Sequence, residues 1–129
     1  MSKKLLLDSS VIIDFLRIKD KSGSLFYKLT FEDSKFLASI VTHAELYSGK
    51  SVWENKVAYD ELSIIFENVE IASLTREVSV YAGEIRAKYD LDLIDAIIAS
   101  TAIRLDIPLV TFNVKHFSRV KNLNLFDIK

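Results

Sequence analysis

The sequence predicts an α/β domain of three layers, with a mostly parallel sheet of four or five strands between helices. Two observations carry that expectation. Short apolar runs of strand length, such as LLL at 5–7 and PLVTF at 108–112, alternate with longer stretches of helical apolar spacing. A chain of 129 residues with only 3 Gly and 1 Pro has the size of one core and little room for a linker, so residues 1–129 are read as a single domain.

The elements follow in order. KLLL, residues 4–7, reads as a strand entering the core. SVIIDFLRI follows with Val11, Phe15 and Ile18 at helix spacing, and Ser9 or Ser10 is the expected cap. A second strand is expected at 35–40, then a helix from Thr42 through Tyr47. The stretch 52–66 mixes helical apolar spacing (Trp53, Val57, Ile64, Ile65) with a charged face, and 68–74 reads as a strand around Val69 and Ile71. Another helix is expected over 76–89, burying Val80, Tyr81 and Ile85. The clearest helix is LIDAIIASTAIRL, 93–105, with an apolar stripe through Ile94, Ile97, Ile98, Thr101, Ala102 and Leu105. PLVTF then forms a strand opened by the sole proline, and the tail KNLNLFDI is expected to add an edge strand.

Composition narrows the chemistry. A net charge of −1 excludes a chain held on nucleic acid by bulk positive charge, although not one that grips it locally or through a metal. With no cysteine there is no disulfide, thiolate nucleophile or thiolate-bound zinc, and His43 and His116 are the only imidazoles. No signal peptide or membrane-spanning run is read from the sequence, and a cytoplasmic location is expected.

The informative break is in LLLDSSVII, residues 5–13, where one carboxylate and two hydroxyls interrupt an apolar run. A buried acid needs a hydrogen-bonded partner, a cation or a route to water. Asp8 falls where a strand ends and a helix begins, the end of a parallel sheet where sites form. Glu45 follows the second strand within a helix, and Asp95 opens the long helix before the last core strand. Each has an ordinary explanation alone: a cap, a solvated helix residue, a first-turn acid. Together they have a route to one end of one sheet. There a hard divalent cation would relieve their repulsion, orient water and stabilise charge on a phosphoryl group.

With LLLDSSVIIDFL, SIVTHAELYSG and DLIDAIIASTAIRLDIPLVTFNVKHF in that order, the chain resembles PIN-domain proteins, most closely the VapC-like toxins of bacterial and archaeal toxin–antitoxin pairs. The resemblance covers nearly the whole length, with 50–90 matching mainly in helical character. It implies a ribonuclease dependent on Mg²⁺ or Mn²⁺, acting on RNA (tRNA included) and leaving a 5′ phosphate and a 3′ hydroxyl. It also implies a homodimer and a cognate VapB-like antitoxin. The family's three leading acids match Asp8, Glu45 and Asp95, which are expected to be catalytic and metal-binding, with Ser9, Thr111 and Asn113 in support. The last motif departs from the four-acid pattern: TFNVKHF has Asn113 and His116 where relatives carry an acid at one or the other position. One stable cation, with another recruited by RNA, is the resulting expectation.

Lys115, His116 and Arg119, with Lys121, are candidate RNA contacts, against the plainer reading of a solvated charged face. Asp92 is expected to be a cap or local acceptor and is the reserve choice for the third acid; Asp14 and His43 are read as solvated helix residues. Two rivals stand beside the nuclease. One is a catalytically inactive PIN-like module that binds protein. The other is a phosphoacceptor receiver domain, disfavoured because NVEIASLT lacks the aspartate needed after a middle strand.

Overall fold

A computed structural model describes residues 3–128. Four strands, β1 (Lys3–Leu7), β2 (Ser34–Ser39), β3 (Val69–Ala72) and β4 (Leu109–Val110), form one sheet in the order β3-β2-β1-β4, and every pairing is parallel. Alternation along the strands makes the three layers. Leu6, Leu37 and Leu109 point into one core, while Leu5, Leu7, Phe36, Ala38, Val69 and Val110 point into the other.

The second of these cores is closed by α1 (Ser9–Arg17), α2 (Leu25–Leu29), α3 (Ile40–Tyr47), α4 (Lys50–Glu54) and α5 (Lys56–Glu67). The first is closed mainly by α6 (Arg76–Tyr89) and α7 (Leu93–Leu105), with Phe117 of the short α8 (Val114–Phe117) fully buried beside them. Thr75 caps α6 by accepting from Val78 N–H, and the Ser100 hydroxyl of α7 donates to the Val78 carbonyl at 2.9 Å, tying the two helices together.

Several expectations change in detail. The stretch 52–66 is two helices rather than one, because Asn55 ends α4 in extended backbone and its side chain caps α5. Ile85 is buried as expected and Tyr81 half-buried, but Val80 is 71% exposed, and Val78 and Ala82 complete the buried face of α6. In α7 the ends of the expected stripe, Ile94 and Leu105, are exposed, whereas Ala96 through Ala102 are buried without interruption. Small residues let α6 and the sheet approach that helix from several sides. The last strand is only Leu109–Val110, and the tail contributes a single parallel bridge, Leu125 to Leu109, not an edge strand. Residues 20–29, unassigned from sequence, form a 3-10 turn and α2.

The chain runs from β1 outward through β2 to β3, then returns to place β4 on the other side of β1. The crevice between β1 and β4 is therefore the point where the winding reverses, the place where open parallel sheets form their sites. Asp8 follows β1 there, and Thr111 follows β4.

Candidate active site

Asp8 is 2% exposed and is itself the N-cap of α1, a role expected of Ser9 or Ser10. Its N–H donates to the Val110 carbonyl at 3.0 Å, keeping β1 joined to β4 up to the cap. Oδ1 accepts from Ser9 N–H at 2.8 Å, and Oδ2 accepts from the hydroxyls of Ser10 at 3.0 Å and Thr111 at 2.6 Å. Charge-assisted bonds of this kind are the compensation a buried carboxylate requires.

Each hydroxyl works twice. Thr111 Oγ1 accepts from Asn113 N–H at 2.9 Å, and Ser10 Oγ accepts from Phe112 N–H at 3.1 Å. The loop after β4 is thus pinned to the turn after β1 through the two groups that orient Asp8. Ser9 contributes its main-chain N–H, and the hydroxyl on Asp8 at this turn is that of Ser10, which sequence reasoning passed over. The available signal was positional: a hydroxyl two residues beyond an acidic N-cap can fold back onto it. Asn113 begins α8 without a side-chain capping bond.

Asp95 lies in the first turn of α7 with a side chain 21% exposed. The helix N-terminus favours its negative charge, yet the net push is the other way. Burial raises its pKa above the ordinary value of 3.8, and the charges of Asp8, Asp92 and Glu45 raise it further. His116 on α8 opposes them, with Nδ1 3.9 Å from Asp95 Oδ2. Four carboxylates from three places in the chain therefore share one field. Glu45 is exposed on α3, and Asp92 is exposed at the N-cap of α7, where its side chain makes no capping bond, contrary to expectation.

The donor set suits a hard cation: it is all carboxylate oxygen, and the repulsion raising Asp95 is what such an ion relieves. Among the described residues, however, no three His, Cys, Asp or Glu side chains stand close enough to hold a metal ion by themselves. The site is an open one. The other candidates divide: His116 faces Asp95, whereas Lys115 and Arg119 are exposed on or just beyond α8. His43 is half-buried against the rings of Tyr47 and Phe66, at 4.7 and 4.6 Å between centroids, rather than solvated.

A parallel sheet with a buried acid at its switch point and Asp95 within reach of that acid's charge is the frame of a carboxylate-centred site. The chain belongs to the PIN-domain family, whose model matches residues 5–123. It is similar to Ribonuclease VapC1 of Methanocaldococcus jannaschii, at 30% identity over 130 residues covering 95% of this chain and 85% of that protein. It is also similar to Ribonuclease VapC19 of Mycobacterium tuberculosis, at 29% identity covering 92% of this chain and 95% of the relative. In fold it matches a chain of the crystal structure of VapBC2 from Rickettsia felis bound to a promoter DNA fragment. That match has a TM-score of 0.79 and 23% identity, and covers 95% of this chain and 97% of the other.

Proposed function

We propose that this protein is a toxin endoribonuclease that uses Mg²⁺ or Mn²⁺ to hydrolyse RNA phosphodiester bonds and is restrained by a cognate VapB-like antitoxin. The observation that carries the reading is Asp8, buried at the switch point of the sheet and held by Ser9, Ser10 and Thr111, with the partly buried Asp95 within reach of its charge. Anionic side chains so arranged are costly unless they serve a cation. The similarity to curated VapC ribonucleases along almost the whole chain supports the substrate class, and the VapBC2 structure supports an antitoxin as partner. A homodimer accompanies this reading.

Asp8, Glu45 and Asp95 would hold the cation. When bound, it supplies stabilisation of charge on the phosphoryl group and acidifies water for attack. The chain's own residues do the rest. Ser10 and Thr111 fix the Asp8 carboxylate so that it does not reorganise during turnover. Asp95 or Glu45 would accept the proton that the attacking water loses as its oxygen bonds to phosphorus, while the P–O3′ bond breaks and the 3′ oxygen takes a proton from solvent. His116, whose Nδ1 lies 3.9 Å from Asp95 Oδ2, would line the rim of the site beside the phosphate.

The test compares antitoxin-free wild type with Asp8→Asn on several RNAs, with Mg²⁺ or Mn²⁺ and after chelation. Metal-dependent products from the wild type alone are expected. Identical products from both proteins would remove the assignment. The alternative, a catalytically inactive PIN-like module that binds protein, is favoured by Asn113 and His116 in the last motif and by the absence of a closed three-ligand group among the described residues. It predicts antitoxin binding with no RNA cleavage under any of these conditions.

A further inference from the structure

We propose that Phe112 is a stacking platform for an unpaired nucleobase next to the scissile phosphate, an inference that rests on the ribonuclease reading above. Phe112 is 46% exposed and, among the described residues, has no aromatic partner. Other exposed rings are differently placed. Trp53 donates Nε1–H to the Tyr47 carbonyl at 2.7 Å and packs against Tyr59, and Phe31 meets Tyr27 edge-on.

The position of Phe112 is tied to the acids. Its N–H donates to Ser10 Oγ at 3.1 Å, and the same hydroxyl donates to Asp8 Oδ2 at 3.0 Å. Two hydrogen bonds therefore separate this backbone from the buried carboxylate, and Val114 beside it leaves a second apolar surface half open. The acids present a negative face to a negatively charged backbone, so phosphate attraction alone is a poor source of affinity. Stacking is indifferent to that charge, because every base offers a π-face. A base already stacked in a duplex is not available to it.

The experiment uses the full chain with Mg²⁺ or Mn²⁺ on a short single-stranded RNA with one main cleavage point, and on copies made abasic at each nucleotide flanking that point. Phe112→Ala and Phe112→Leu are expected to lower kcat/KM by about 5- to 150-fold, the equivalent of ~1–3 kcal/mol for one stacked base. The loss should fall mainly in KM, since stacking acts on bound substrate and transition state alike. Phe112→Trp should restore cleavage. One abasic position should cost the wild type a similar factor and cost Phe112→Ala almost nothing more. Phe112→Leu cleaving like the wild type would show that the ring only fills space and would overturn the inference, as would a Phe112→Ala penalty undiminished on every abasic RNA. If the wild type cleaves no RNA at all, the ribonuclease reading fails and takes this inference with it, an outcome plainly different from loss of the coupling alone.

Discussion

Asp8 and Asp95 are held in opposite ways. Asp8 is nearly inaccessible, and both of its oxygens are engaged by N–H and O–H donors from the start of α1 and from Thr111 just past β4. Asp95 is partly open, and the charges around it mostly oppose its own. One carboxylate is part of the fold's hydrogen bonding; the other is tolerated by the fold. The difference teaches that acids sharing one field can be preorganised on one side and frustrated on the other; on the reading proposed above, a cation would supply the missing stabilisation.

The sharpest way to break the comparison is at Asp8. Asp8→Ala removes an N-cap, worth ~1 kcal/mol, and leaves the buried Thr111 hydroxyl without its acceptor, at ~1–3 kcal/mol, while the half-buried Ser10 hydroxyl also loses its own. Cleavage should fall by ~10³-fold or more, and the urea midpoint should drop. A variant that melts like the wild type would show that the network contributes little to folding.

Asp95→Asn should separate activity from stability. Cleavage is expected to fall by ~10²–10³-fold, yet in chelator the variant should melt above the wild type, because an uncompensated charge has gone. The pH dependence has a definite sign. A carboxyl whose folded pKa lies above the unfolded 3.8 imposes no penalty below 3.8 and its whole penalty above the folded value. The melting advantage of Asp95→Asn should therefore be absent in acid and grow as pH rises through the window just above 3.8. Saturating Mn²⁺ should reverse the order, stabilising the wild type by ~2.7 kcal/mol at a hundredfold excess over Kd and the variant by much less. An Asp95→Asn protein less stable than the wild type in chelator at neutral pH would refute the idea of a frustrated side.

The two sides were also unequally legible in the sequence. The strands and α7 could be read because buried parallel strands and a thirteen-residue helix impose strong apolar patterns, and Asp8 and Asp95 stand at element boundaries, whereas Glu45 lies within α3. Thr111 was reachable only through a family resemblance, since its bond to Asp8 spans 103 positions. Local pattern missed the Ser10 hydroxyl because it cannot tell which of two adjacent serines turns back. It also misjudged Val80, whose helical spacing fits a buried face that α7 and the sheet do not cover. Asp92 is brought to Asp95 locally, three positions away, but the convergence of Asp8, Glu45 and His116 on Asp95 depends on how β1, α3, α7 and α8 pack, and no local pattern encodes that.

Thr111→Val probes the closed side more gently. The shape is kept, but Asp8 Oδ2 loses its shortest donor and Asn113 N–H its acceptor. A loss of ~1–3 kcal/mol is expected, since the polar partners remain while only one side of each bond is removed. Denaturant melts with unchanged slope would locate the effect in stability rather than compactness. No change in midpoint would mean that water replaces the hydroxyl without cost.

The smallest effect discriminates between neighbours. Ser10→Ala removes a hydroxyl that donates to Asp8 and accepts from Phe112 N–H, so it should cost ~1 kcal/mol and loosen the loop carrying Phe112 and Asn113. Ser9→Ala preserves the main-chain N–H that Ser9 lends to Asp8, and should stay within ~0.5 kcal/mol of the wild type. Hydrogen exchange at Phe112 N–H reads the difference directly: faster in Ser10→Ala, unchanged in Ser9→Ala. The reverse order would move the orienting hydroxyl to Ser9, and with it the coupling between the two strand ends, because only a hydroxyl that reaches both Asp8 and the Phe112 N–H can hold the acid and the loop in one geometry.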